Sequence, residues 1–524
     1  MARRRAQSDQ RPDHRSLVAA LERPECYGPG VHEVRLVETH ISWVFLTGKR
    51  AYKVKKPVKL PFVDFSTLEL RKRFCDEELR LNRRLAGELY LGVVPIGGSP
   101  DAPRVGATPA FEYAIEMRQF PDDARLDRQL EAGSLPTEAL LEFADTLAQF
   151  HGELPAIRPP ADAAAATLRS AATNLDELEP YLVGELANER QRIAALRDWT
   201  KCEGEAIRPA LESRAAHGAH RECHGDLHLE NLLLTDGRVV AFDALEFDRK
   251  LREIDVASET SFLAMDLLAH ERADLAYAFL TRYLEAGGDY AGLAVQRYYL
   301  VYRALIRAKV RALKVAQRHA ERGREAPARY LALASELIAP GSPLLIVTHG
   351  LSGSGKTHVT GELVLRLPAL RVRSDLERKR LLGLAADART ASPVGGGSYG
   401  ERSTERTYER LAEVAGPALA HGFDLIVDGT FLRRTERESF RGLAARAGAR
   451  FAILDCVAPE AELRRRIGAR AARGRDASEA TGAVLDWQLE NQEPLDAGEL
   501  AEAVRVDTTA DVDYGGLAAR LARR

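Results

Sequence analysis

A chain of 524 residues with 45% hydrophobic and 29% charged side chains has the composition of a soluble globular protein, and it is too long for one core, so roughly two to four domains are expected. A formal net charge of -2 excludes a nucleic-acid binder that works by bulk charge. The five scattered cysteines, with no C-x-x-C pair, exclude a disulfide framework or a zinc site and fit a reducing cytoplasm.

The start, Met1-Ala2-Arg3-Arg4-Arg5, has no apolar stretch behind it, and no run of about 18 apolar residues occurs later, so neither a signal peptide nor a membrane span is expected. Residues 1–14 read as a disordered tail. Ile41 to Thr47 and Ala51 to Lys55 are rich in β-branched and aromatic types around Gly48-Lys49-Arg50, the pattern of a hairpin, with Lys53 near the middle of its second strand. A helix is expected from about Leu68 to Leu85, carrying Glu77 and Glu78, and an extended segment from Phe111 to Phe120. Helices follow over Pro136 to His151 and Asn174 to Glu203. A strand is expected over Val239 to Asp243, then helical pattern over Asp255 to Arg322 and Arg329 to Ile338. Pro340-Gly341-Ser342-Pro343 marks a boundary. Beyond it strands at 344–348, 370–373, 424–427 and 451–457 alternate with helices, which implies a parallel sheet covered on both faces.

His224-Gly225-Asp226 with Asn231 has the D-x-x-x-x-N spacing of a kinase catalytic loop, and Asp243 closes the apolar run behind it. Phosphoryl transfer to a hydroxyl needs a carboxylate to accept the hydroxyl proton, and an amide oxygen with a second carboxylate to hold magnesium against the phosphates. Asp226 suits the first task, Asn231 and Asp243 the second. Lys53 suits the α- and β-phosphates, oriented by a carboxylate of the next helix, for which Glu77 and Glu78 both qualify. Residues His40 to Val58, His224 to Leu234 and Phe242-Asp243 resemble the aminoglycoside phosphotransferase family, protein-kinase-like enzymes whose loop reads H-G-D. The resemblance implies a two-lobed α+β fold over residues 15–338, with a small β-rich lobe to about 121 and a helical lobe after it. It also implies a loop-buttressing role for Asp255. The hairpin roof departs from the glycine-rich pattern, with only Gly48 available.

Gly350-Leu351-Ser352-Gly353-Ser354-Gly355-Lys356-Thr357 matches G-x-x-x-x-G-K-[ST] completely, with a strand before it and a helix after it. Such a turn aims several backbone N–H groups at one point, which is how a chain cradles a polyphosphate. Gly350, Ser352, Gly353, Ser354 and Gly355 form the cradle, Lys356 reaches the outer phosphates and Thr357 joins the magnesium shell. In an open α/β sheet the carboxyl ends of the strands carry the ligand. The second strand there ends in Ser374-Asp375, where Asp375 is placed to activate an acceptor hydroxyl, and the third ends in Asp428, a magnesium carboxylate. Among Arg464, Arg465, Arg466, Arg470, Arg473 and Arg475, Arg470 and Arg473 are favoured as phosphate clamps.

The stretches around Asp375, Asp428-Gly429-Thr430-Phe431 and Asp476 to Ala480 are similar to P-loop kinases of the gluconate kinase and zeta-toxin group. That resemblance implies a three-layer α/β domain over 344–524 after a linker at 339–343. The order of the two halves resembles bacterial bifunctional phosphotransferase and ATP-binding proteins. The expected function is transfer of a γ-phosphoryl group from ATP, with Mg2+, to small-molecule hydroxyls at two sites in a cytoplasmic protein, without membrane or nucleic-acid partners. The alternatives are a silent nucleotide sensor in one half, or a regulatory ATPase in the P-loop half. Arg303, Arg307, Arg311, Lys314 and Arg318 form a helical stripe expected to be solvated.

Overall fold

A computed structural model of the chain describes residues 14–60, 63–182, 189–318, 325–339, 341–386, 388, 401–473 and 480–523. The expected tail therefore lies outside the described residues but for its last position, as do Arg475 and 476–479 of the second kinase-like pattern. By packing, one compact unit takes in the chain up to Leu135 together with Glu222–Ile254. The other takes in Pro136–Arg221 and the chain from Asp255 onward.

In the first unit an antiparallel sheet of six strands runs in the order Arg35–Glu38, Ser42–Leu46, Arg50–Lys55, Ala110–Arg118, Tyr90–Ser99, Ala102–Val105. The expected hairpin forms its second and third strands, with Val44 opposite Lys53 and Phe45 opposite Tyr52. Successive strand residues face opposite sides. Tyr52 and Val54 thus join the apolar cluster of Phe45, Ile96 and Ala114 on one face, while Lys53 and Lys55 share the other. The helix Leu68–Ala86 is capped by Thr67, whose hydroxyl accepts the Leu70 N–H. The catalytic-loop segment continues into the small hairpin Leu232–Thr235 and Arg238–Ala241.

Two expected helices of the second unit are broken. The pattern over Asn174 to Glu203 is split between Ala163–Leu178 and Arg190–Ala216, because Pro180 follows directly and a short tight turn, Glu179–Tyr181, replaces the helix. The pattern from Asp255 resolves into Val256–Ala269, Ala273–Gly287 and Leu293–Arg318. Gly288, at φ 77°, closes the middle one in the left-handed conformation that glycine adopts without penalty. The basic stripe on the last of these is not a solvated face at its start: Arg303 lies over the Phe262 ring and donates to the Ser258 carbonyl, and Arg307 lies over Tyr330. A guanidinium is flat and weakly hydrated, so it packs on rings where an ammonium would not.

The P-loop half is a parallel sheet of five strands in the order Ala369–Arg373, Asp424–Asp428, Leu344–His349, Arg450–Val457, Ala503–Asp507. The last strand and the terminal helix Tyr514–Ala522 were not anticipated. Within this unit the helix Ala273–Gly287 lies against the edge strand Ala369–Arg373, and its Ala278 belongs to the same apolar cluster as Ile346, Val359 and Ile426. An edge strand exposes unpaired backbone, and a covering helix is one way a fold protects it.

Candidate functional site

In the first unit, Lys53 Nζ lies 2.7 Å from Glu78 Oε1 and 2.5 Å from Asp243 Oδ1. The two candidate glutamates separate cleanly. Glu78 is fully buried and also accepts from Lys55 Nζ at 2.7 Å, whereas Glu77 lies around the helix and accepts from Arg252 and Arg80. Adjacent helix residues are 100° apart, so only one can face the sheet. The pairing with Lys53 therefore falls to Glu78, and Glu77 braces Arg252, which also donates to the carbonyls of Leu245 and Glu246.

Sequence reasoning missed Lys55 and Glu246, which lie 2.5 Å apart in the same buried cluster. The signal was present, since Lys53 and Lys55 are two apart on one strand and must share a face. Burial opposes charge on Lys53, but Asp243 and Glu78 outweigh it and hold its ammonium above its ordinary value. Burial pushes the Glu246 carboxyl up, whereas at Glu78 two lysines overcome burial and hold the carboxyl down.

The catalytic loop is tied to the strand end that carries Asp243. His224 Nε2 meets the Phe242 carbonyl at 2.8 Å, and the Leu245 N–H reaches the His224 carbonyl at 3.1 Å. The Asp243 N–H donates to Tyr90 Oη and the Ala244 N–H to Asn82 Oδ1, two further residues that sequence reasoning missed. Asp243 has φ 62°, a conformation that a non-glycine residue adopts only where its surroundings enforce it. Gly225, at φ 91°, is where a β-carbon would meet the Leu251 carbonyl at 2.8 Å, which accounts for glycine in the H-G-D string. Asn231 Nδ2 donates to Asp226 Oδ2 at 2.9 Å and to the Asp226 carbonyl at 3.0 Å. With its NH2 turned to Asp226, the carboxamide oxygen of Asn231 is the end left to face a metal. Asn231 and the half-exposed carboxylate of Asp243 are hard oxygen donors of the kind magnesium takes. Asp255 caps the helix Val256–Ala269 and pairs with Arg214 at 2.7 Å.

In the second unit the loop Gly350 to Gly355 leads into the helix Lys356–Val364, whose first N–H groups no intrahelical carbonyl can serve. Gly350, Gly353 and Gly355 all have positive φ. The buried Ser354 hydroxyl is left without a partner, which fits an anion in the loop, whereas the expected donor at Ser352 is already taken, its N–H donating to Gln488 Oε1 at 2.8 Å. Lys356 folds back on the Gly350 and Leu351 carbonyls at 2.8 Å, and burial lowers the pKa of its ammonium. A cavity of about 800 Å³ opens here, lined among others by Lys356, Thr357, Asp375, Asp428 and Arg470. Asp375 lies 3.1 Å from Arg378. Asp428 is buried and accepts from the Thr360 hydroxyl at 3.3 Å. Arg470 Nη2 reaches the Ala480 carbonyl at 3.3 Å. Arg464 is held by Glu460 and Asp486, and Arg466 by Glu462 and Thr508. The side chain of Arg473 lies outside the described residues. No helix among the described residues is long and apolar enough to cross a membrane.

Comparison with known proteins gives two family matches, the Phosphotransferase enzyme family over residues 73–286 and the AAA domain over 345–495. An uncharacterized protein of Mycobacterium tuberculosis is 31% identical over 463 residues, covering 86% of this chain and 90% of its own length, and one of Mycobacterium bovis matches equally. Among solved structures, a choline/ethanolamine kinase family protein from Mesorhizobium loti aligns over 62% of this chain and 94% of its own, with 14% identity and a TM-score of 0.38. A gluconokinase from Sinorhizobium meliloti aligns over 34% and 93%, with 23% identity and a TM-score of 0.26. With both family matches in this order and that identity over nearly the whole chain, the protein belongs to the family that joins a kinase-like phosphotransferase domain to a P-loop kinase domain, and is an enzyme of the kinase type.

Proposed function

We propose that the chain is an ATP-dependent phosphotransferase with two centres, each moving the γ-phosphoryl group of ATP to a hydroxyl of a small molecule. The observation that carries this reading is the cluster in which Lys53 bridges Glu78 and Asp243 while Asn231 holds Asp226. We assign 15–338 to the first centre and 344–524 to the second, joined at 339–343 in a cytoplasmic protein.

At the first centre Lys53 binds the α- and β-phosphates, and Glu78 fixes where its ammonium stands. Asp226 accepts the acceptor's hydroxyl proton at a carboxylate oxygen. The freed oxygen bonds to the γ-phosphorus as the bond to the β–γ bridging oxygen breaks, and ADP leaves with that electron pair. At the second centre the N–H groups of the phosphate loop and Lys356 hold the phosphates, Asp375 takes the hydroxyl proton, and Arg470 with Arg473 balances charge on the phosphoryl group in transit. Asn231 and Asp243, and separately Thr357 and Asp428, would hold Mg2+, which when bound neutralises phosphate charge.

The test is a screen of a metabolite pool with phosphate-labelled ATP. Asp226→Ala and Lys356→Ala are expected each to abolish a different labelled product. If Asp226→Ala changes no product while ATP still binds, the first centre is a sensor. If the P-loop centre hydrolyses ATP one-for-one without a labelled acceptor, it is an ATPase and not a kinase.

A further inference from the structure

Arg371 stands in the middle of the edge strand Ala369–Arg373 and is not part of any motif around the phosphate loop. Its guanidinium is shared between two parts of the second unit. Nε and Nη2 take the two oxygens of Glu285, at 2.7 and 3.2 Å, where Glu285 lies on the helix Ala273–Gly287 and its side chain is buried. The remaining nitrogen, Nη1, donates to the carbonyl of Thr357 at 3.3 Å and to the hydroxyl of Thr360 at 3.2 Å.

The Thr360 hydroxyl has one proton and two acceptors within reach, the Thr357 carbonyl at 3.2 Å and Asp428 Oδ2 at 3.3 Å. Arg371 competes with the hydroxyl for the Thr357 carbonyl and donates to the hydroxyl oxygen itself, which favours turning the hydroxyl proton to the charged acceptor, Asp428. Without Arg371 the proton returns to the carbonyl three residues back, a common resting place for a helical threonine, and Asp428 loses a hydrogen bond.

The same helix holds the next element as well. Arg380 Nη2 donates to the Glu285 carbonyl at 2.6 Å, and Arg380 lies on the helix Ser374–Leu381, whose second residue is Asp375. Glu285 also falls inside the stretch matched to the Phosphotransferase enzyme family, whereas Thr357, Thr360, Arg371 and Asp428 fall inside the AAA domain match.

From this geometry we infer that Arg371 is a positioning residue for the P-loop centre and that Glu285, supplied by the phosphotransferase segment, holds it in place, so the magnesium-binding geometry of one kinase domain is completed by a side chain of the other. The inference rests on the reading of Thr357 and Asp428 as magnesium ligands given above. Partners that orient a metal ligand without touching the metal set its basicity and direction, and their loss characteristically weakens metal affinity or activity by about 10- to 100-fold.

The experiment uses the full chain carrying Asp226→Asn, so that the ATP turnover removed by Lys356→Ala reports the P-loop centre. Mg2+ is titrated at saturating ATP, and metal-free ATP binding is measured alongside. Glu285→Gln and Arg371→Gln are expected each to raise the half-saturating Mg2+ concentration by about 10- to 100-fold with metal-free ATP affinity within about 2-fold of the parent, and the double variant to be no worse than the more affected single one, because the two act in series. Thr360→Val, which keeps the ion pair and the side-chain shape, is expected to give the same magnesium shift. An unchanged magnesium requirement in all three single variants, with turnover still lost in Lys356→Ala, overturns this inference and leaves the P-loop reading standing. Equal losses of metal-free and magnesium-dependent binding also overturn it, since an interface pair that only stiffens the fold would do that. Turnover that survives Lys356→Ala removes the P-loop reading and this inference together.

Discussion

Glu77 and Glu78 are the same residue type one peptide bond apart, yet they serve different structures. Glu78 is shared by two buried ammonium groups, so Glu78→Gln takes a charged partner from both at once, and a loss of about 3–5 kcal/mol in urea unfolding is expected with ATP binding at the first centre abolished. Glu77→Gln removes one partner from Arg252, which keeps Glu222 and two carbonyls, and about 1 kcal/mol is expected with ATP binding kept. Equal losses for the two would contradict this division of labour.

His224 belongs to the same scale. Burial lowers its pKa from the ordinary 6.5 to about 4, so it is neutral in the fold while the unfolded chain takes up a proton first as the pH falls. Its contribution is therefore present above pH 6.5 and is lost progressively towards pH 4, roughly 3 kcal/mol in all at ~1.4 kcal/mol per pH unit. Urea midpoints measured across this window should fall less steeply with acid in His224→Gln than in the parent.

At the scale of an element, the phosphate loop is decided by backbone. Gly350 has φ 139°, and a β-carbon there would meet the Cys456 carbonyl at 2.4 Å. Gly350→Ala is expected to cost of order 1–3 kcal/mol and to remove ATP binding at the P-loop centre, read by calorimetric titration and urea unfolding. Gly468, inside the helix Glu460–Arg473, is a contrasting case, because nothing lies within 4 Å of where a β-carbon would stand. Gly468→Ala should stabilise the chain by about 0.5–1 kcal/mol with ATP binding unchanged. Opposite signs for two glycine-to-alanine changes separate a glycine that is required from one that is only tolerated.

For the whole molecule, the second unit crosses the boundary expected at 339–343. Ala278 lies in the core of the P-loop sheet, and Arg297 donates to the carbonyls of Leu337 and Gly422. Nucleotide at the P-loop centre should therefore slow amide exchange in the helix Ala273–Gly287 as well as in the loop, and mass-resolved exchange with and without Mg-ATP reads this directly. Protection confined to the residues after 343 would mean that the two segments open independently.

Most motif-bearing elements were legible in the sequence. The strand, loop and helix around Lys356, the catalytic loop at Asp226 and the strand carrying Lys53 were placed because short-range rules govern them: side-chain alternation, glycine at positive φ, and fixed spacing between groups that share a phosphate. The breaks at Pro180 and Gly288 were written in the chain but hidden inside helical periodicity, and the strand Ala503–Asp507 carried no motif to mark it. Only the tertiary structure decided which glutamate faces Lys53, that Lys55 and Glu246 complete its cluster, that Arg303 and Arg307 turn inward, and that Glu285 meets Arg371. Each is a pairing chosen by how elements distant in the chain are rotated and packed, and local propensity carries no record of that choice.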